Sequence, residues 1–213
     1  MKVFELPKRT FKFFVAIHPL FVSLIQLRVL YILIILLGNK QKNMHVIIYL
    51  ASSANGMISN QRNVPDWLSP EYGQGFMAIC QQTKAVIMGK TTYNILAPGY
   101  LPLKDEGALV VLTHDTKLPP AQPNVLFTDQ SPQAIIAMLE SKGYKEAVII
   151  GGTQTVSEFF KAGLVNELRL VIEPALFDGS LPLLKDVNRD FKLSLSGVKQ
   201  LNANTVELDY FVN

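Results

Sequence analysis

From His45 onward, short runs of Val, Ile, Leu and Tyr take turns with longer stretches of mixed polar and apolar residues. The short runs read as strands buried on both faces. They fall at His45–Ser52 (HVIIYLAS), Ala85–Met88 (AVIM), Ala108–Thr113 (ALVVLT), Asn124–Thr128 and Ala147–Ile150 (AVII). Ser69-Pro70-Glu71 supplies a capping hydroxyl, a proline at the first helical position and an acid in the first turn. It predicts a helix running to about Thr83. Gly89-Lys90-Thr91-Thr92 leads into a short helix ending near Leu96. Ser131-Pro132 opens a third helix, to about Lys142, which Gly143 stops. Thr153–Ala162 is a fourth. Glu167–Glu173, Phe191–Leu195 and Thr205–Val212 read as three strands with no helix between them. Ser53–Ser69 is a loop punctuated by Asn55-Gly56 and Pro65.

Strands and helices that alternate imply an α/β domain whose mostly parallel central sheet is covered by helices on both faces. The strand-only tail adds an antiparallel edge, for about eight strands in all. Ligands of such sheets bind beyond the carboxyl ends of the strands.

The first 43 residues follow a different pattern. Phe13–Leu37 is an apolar stretch of 25 residues, long enough to cross a bilayer. His18, Pro19, Gln26 and Arg28 interrupt it, and an arginine at mid-span costs about 2.5–3.5 kcal/mol on insertion scales. No small-residue cleavage site follows. Two readings stay open: a membrane anchor at 13–37, or an upstream extension of a cytoplasmic domain that starts at Met44. Either way the chain divides into residues 1–43 and a domain at 44–213.

Charge follows the same division. The formal net charge is +3, but seven of the twenty basic residues and one of the seventeen acids lie in the first 43 positions, leaving the remainder at −3. A mildly acidic domain with no basic patch is not built to coat nucleic acid. The single cysteine, Cys80, rules out an internal disulfide and reads as a buried helix residue. His18, His45 and His114 have no metal-ligand spacing. No serine sits in a GxSxG elbow, which removes the usual hydrolase signature.

Three strand ends carry candidate chemistry. At Ala147–Phe160 (AVIIGGTQTVSEFF) a strand runs through Gly151-Gly152 into a helix. Two glycines let a backbone approach a pyrophosphate, and a helix N-terminus offers free N–H groups. At Ala85–Leu96 (AVIMGKTTYNIL) Lys90 can pair with a phosphate, with Thr91 and Thr92 as donors. At Ala108–His114 the strand ends on Thr113 and His114. Taken singly, each is also an ordinary strand-to-helix turn or a solvated strand end.

In this order the motifs resemble the dihydrofolate reductase superfamily, and within it the stand-alone proteins similar to the C-terminal reductase domain of bifunctional riboflavin-biosynthesis enzymes. The matching segments are YLASSANGMIS (Tyr49–Ser59), VPDWLSPE (Val64–Glu71), VIMGKTTYNIL (Val86–Leu96), VVLTH (Val110–His114), IIGGTQTVSEFF (Ile149–Phe160) and LRLVIEPALFDGSLPLL (Leu168–Leu184). The resemblance implies NADPH as hydride donor and a small pyrimidine- or pteridine-like substrate. It implies Ile150, Gly151, Gly152 and Thr153 at the pyrophosphate, and Gly89, Lys90, Thr91 and Thr92 on the adenosine side. Thr113 and His114 would lie near the 2′-phosphate, with Ala51 and Ile58 beside the nicotinamide. Tyr49, Asn55, Trp67 and Phe76 would contact substrate, and Glu71, ahead of Asp66, would supply the proton. A homodimer through the C-terminal strands is a further expectation. One departure is Asn55, where many stand-alone members carry Asp. An amide cannot hold the negative charge that chemistry or a cationic substrate group would use. The zinc deaminase signature, HxE with PCxxC, is missing, so a bifunctional enzyme is excluded. An aminouracil reductase, a dihydrofolate reductase and a non-catalytic dinucleotide-binding protein remain as alternatives.

Overall fold

The computed structural model describes residues 44–97, 99–104, 106–178 and 181–213. The expected anchor or upstream extension falls on residues 1–43 and lies outside the described residues. Among the described residues, no helix is long and apolar enough to cross a membrane.

The strands are β1 (His45–Ser53), β2 (Ala85–Gly89), β3 (Ala108–Leu112), β4 (Val125–Thr128), β5 (Glu146–Ile149), β6 (Glu167–Glu173), β7 (Leu193–Gln200) and β8 (Val206–Val212). The helices are α1 (Pro70–Thr83), α2 (Lys90–Leu96), α3 (Pro132–Ser141) and α4 (Thr153–Lys161). One sheet holds all eight strands in the order β4-β3-β2-β5-β1-β6-β8-β7. The β1, β2, β3, β4, β5 and β6 pairings are parallel, while β8 runs antiparallel to both β6 and β7. The α/β class and the antiparallel edge are as the sequence implies.

Adjacent residues Ile47 and Ile48, and Val86 and Ile87, are all fully buried. Their side chains point to opposite faces of the sheet, so both faces are covered. One face packs Val46, Ile48 and Ile149 against Ile135 and Leu139 of α3 and Val156, Phe159 and Phe160 of α4. The other packs Ile47, Val86 and Val148 against Tyr72, Ile79 and Cys80 of α1 and Tyr93 of α2. Burial pushes the Cys80 thiol up to about 12, so it stays neutral.

The last hairpin corrects one expectation. The strand expected at 191–195 runs instead from Leu193 to Gln200. Leu195 pairs with Tyr210 and Val198 with Leu208, across an irregularity between Leu195 and Gly197. One inserted residue breaks the two-residue rhythm, as a β-bulge does. The strand's continuation therefore loses its alternation and reads as loop.

Candidate active site

The carboxyl ends of five parallel strands open on one cleft of about 1520 Å³. Leu50 and Ala51 come from β1, Gly89 from β2, Thr113 and His114 from β3, Thr128 and Asp129 from β4, and Ile150–Gly152 from β5. Trp67, Tyr72 and Phe76 form the wall on the α1 side, and Ile58 enters from the Ser53–Ser69 loop.

The floor is built by two strand-to-helix turns. Gly89 N–H donates to Gly151 O at 2.8 Å, which ties the ends of β2 and β5 together. Gly151 sits at φ +117°, a region that strains any residue with a Cβ. A Cβ there would touch only Leu50 Cδ2 and Thr92 Oγ1, both at 3.4 Å, so the space above the turn is open. Helices α1 and α3 begin with serine side chains that accept from Tyr72 N and Ala134 N. By contrast, α2 and α4 begin at Gly89 and Gly152 with no side-chain cap. Their first-turn residues, Lys90–Thr92 and Thr153–Thr155, line the cleft. Unsatisfied N–H groups and two positive dipole ends therefore converge where a glycine turn leaves room. This donor set fits a pyrophosphate. Lys90 adds a cation, with Nζ 4.8 Å from the Phe127 ring centre and 5.4 Å from that of Tyr93.

The cleft thus gathers Ala51, Ile58, Asp66, Trp67, Phe76, Gly89, Lys90, Thr91, Thr92, Thr113, His114, Ile150, Gly151, Gly152 and Thr153. Three sequence-based candidates do not line it. Tyr49 is 2 % exposed, stacked on Tyr72 at 5.4 Å, and lies in the core instead of at the cleft. Gly75 lets α1 close over it, since a Cβ there would collide with the Tyr49 hydroxyl. Asn55 lies in a clamp between loops. Its Nδ2 donates to Phe177 O at 2.7 Å, and its Oδ1 accepts from Phe177 N at 3.2 Å and Ser53 Oγ at 2.7 Å. An aspartate could accept but could not donate to the Phe177 carbonyl, a physical reason for the amide here. Glu71 turns toward Asn202, whose Nδ2 donates to it at 2.9 Å. That hydrogen bond holds its carboxyl below the ordinary carboxylate range.

Asp66 does face the cleft, accepting from Asn60 Nδ2 at 3.0 Å and pairing with Arg62. Tyr72 lines the wall as a neutral phenol, its pKa pushed up chiefly by burial. The loop that carries Asp66 is sewn to the segment after β6. Ile58 N donates to Leu181 O at 2.8 Å, Met57 bridges Pro182, and Trp67 meets Phe177 edge to face at 5.0 Å.

Sequence reasoning missed several lining residues. Asp129 and Gln130 follow β4 directly, and the strand-end rule that picked Thr113 and His114 applies to them equally. Tyr72 sits in the first turn of α1, and Lys185 arrives from a loop with no local signature.

The model of the RibD C-terminal domain family matches residues 44–206. Among curated proteins, the chain is 28 % identical over 170 residues to uncharacterized protein YwjB of Bacillus subtilis (strain 168), covering 77 % of this chain and 95 % of that one. Uncharacterized protein YyaP of the same strain is 23 % identical over 186 residues, covering 82 % and 98 %. Among solved structures, a putative riboflavin biosynthesis protein from Shewanella sp. PV-4 superposes with a TM-score of 0.67 at 21 % identity, over 80 % of this chain and 99 % of that one. A diaminohydroxyphosphoribosylaminopyrimidine deaminase/5-amino-6-(5-phosphoribosylamino)uracil reductase from Thermotoga maritima gives 0.66 at 16 %, over 81 % of this chain and 58 % of that one.

Proposed function

The chain belongs to the RibD C-terminal domain family, and from that premise we propose that it is a reductase transferring a hydride from NADPH to a small pyrimidine- or pteridine-like heterocycle. A 5-amino-6-(5-phosphoribosylamino)uracil-like compound is the substrate class we favour. The observation that carries the reading is the pair of uncapped helix starts, α2 and α4, facing one cleft across an open glycine turn. Such an arrangement binds a dinucleotide pyrophosphate. Lys90, Thr113 and His114 suit the phosphorylated adenosine end, and Ala51 and Ile58 the nicotinamide end.

When bound, the dinucleotide supplies the hydride. The chain's own residues do the rest. Gly89 and Gly151–Thr153 hold the diphosphate, while Trp67, Tyr72 and Phe76 wall the substrate away from water. Fixing donor and acceptor at reacting distance gives much of the rate. Asp66 is our candidate for the proton that accompanies hydride transfer to a C=N or C=O group, because it is the carboxylate on the Trp67 side of the cleft. Glu71, hydrogen-bonded to Asn202 and away from the cleft, is the weaker candidate.

The test is oxidation of NADPH, read as loss of its near-ultraviolet absorbance, with the full chain and either aminopyrimidine ribosyl phosphates or dihydrofolate. Turnover with the first supports an aminouracil reductase and turnover with the second a folate reductase. Tight NADPH binding without turnover on either points to a non-catalytic dinucleotide-binding protein. A chain that neither binds nor consumes NADPH sinks the reading.

A further inference from the structure

We infer that Asp129 is a specificity-determining residue of the dinucleotide site, one that opposes the 2′-phosphate and lets NADH compete with NADPH. The inference rests on the dinucleotide reading above and concerns only its adenosine end.

Strands β3 and β4 end side by side. Leu112 pairs with Thr128, and Thr113 N–H donates to Thr128 O at 2.9 Å. Both strands then turn through their own threonines, with Asp115 N donating to Thr113 Oγ1 at 3.2 Å and Gln130 N to Thr128 Oγ1 at 3.1 Å. These turns set Thr113-His114 and Asp129-Gln130 on neighbouring strand ends, all four lining the cleft. The Asp129 carboxylate enters none of the ion pairs among the described residues. Lys90 is the cation of this corner, resting on the ring of Phe127. Phe127 is the next-to-last residue of β4, and Asp129 follows that strand directly and lines the same cleft as Lys90. An ammonium and a carboxylate therefore both line the cleft beside the carboxyl end of β4.

The two charges pull in opposite directions. A ribose 2′-phosphate is drawn to Lys90 and repelled by Asp129. A free ribose 2′-hydroxyl has little use for Lys90 but can donate to a carboxylate, as it does to the acid of other dinucleotide folds. Removing one charge from the lining of a partly solvated site changes affinity for a phosphate by about tenfold.

The chain has one tryptophan, Trp67, and it lines the cleft. Quenching of its fluorescence reports dinucleotide binding without turnover. We would titrate NADPH and NADH into the full chain and into Asp129→Asn, whose exposed position leaves the fold intact, with the thermal midpoint as control. The expected result is an NADPH-over-NADH affinity ratio that rises about tenfold in Asp129→Asn, from tighter NADPH with NADH unchanged or weaker. A ratio that stays within about twofold of the parent overturns the inference while leaving the dinucleotide site standing. If neither dinucleotide binds the parent chain, the reading under the proposed function fails first, and the two failures are told apart by that titration alone.

Discussion

Two carboxylates within four residues of Trp67 illustrate what a single position can and cannot disclose. Glu71 accepts a hydrogen bond from Asn202 that holds its carboxyl below the ordinary carboxylate range, and it does not line the cleft. Asp66 has the cleft in front of it. A general acid contributes about a hundredfold or more. Asp66→Asn should therefore lower kcat by about that factor while the NADPH Kd from Trp67 quenching stays put, and Glu71→Gln should leave kcat within about threefold. Steady-state kinetics on the two variants separate them, and the reverse ranking would return the role to Glu71. Gly151 makes a second prediction. At φ +117° an added Cβ is strained, so Gly151→Ala should cost about 1–3 kcal/mol of stability, read from the urea midpoint, and weaken dinucleotide binding. The placement of glycines and threonines at the strand ends was legible because it is set by their immediate neighbours. The orientation of Glu71 was not legible, because it is decided by a residue 131 positions away.

At the scale of elements, the serine caps of α1 and α3 look alike in sequence and differ in the fold. The Ser131 hydroxyl accepts from Ala134 N and makes no other hydrogen bond among the described residues. Ser69 accepts from Tyr72 N, and both its hydroxyl and its backbone N–H donate to Glu173 Oε1, at 2.7 and 2.9 Å. Glu173 is 1 % exposed and also accepts from Thr205 Oγ1 at 2.9 Å. Losing Ser69 thus leaves a buried carboxylate short of a donor as well as a helix uncapped. Ser131→Ala should cost about 1 kcal/mol and Ser69→Ala about 2–3 kcal/mol in chemical unfolding. Equal losses would mean the Glu173 contact adds nothing. Helix starts and buried strands were readable because capping residues and apolar runs are local signals. Strand β7 was cut short because its bulge displaces the apolar rhythm by one residue, and because every residue of it except Gly197 is exposed. Cross-strand partners hold its second half in place. Likewise the clamp from Asn55 to Phe177 joins loops 122 positions apart, and no periodicity announces it.

For the whole molecule, the seam between the parallel sheet and its antiparallel edge runs through Glu167. This carboxylate, 8 % exposed at the start of β6, accepts from His45 of β1 at 2.8 Å and from Arg169 at 2.6 Å. Burial pushes its pKa up, but the hydrogen bonds from Arg169 and then His45 outweigh that, and it ends below the ordinary carboxylate range. The folded chain therefore binds this proton less readily than the unfolded chain. The stability it confers is fully present above the unfolded carboxylate value and is lost as pH falls through the lower, folded one. Lys199 has the opposite sign. The hydrogen bond to Glu207 raises its pKa above the ordinary lysine value, so its contribution is present below that value and fades as pH rises past it. Its side chain is 55 % exposed, and solvent screening makes that alkaline loss shallow. Acid should accordingly unseat the edge more steeply than alkali. Glu167→Gln should be less stable than the parent at neutral pH, and the gap should close as pH falls below the ordinary carboxylate range and the parent's own carboxylate is protonated. Urea midpoints measured across that range decide it. Curves that stay parallel would show that the acid sensitivity of the fold lies in some group other than Glu167.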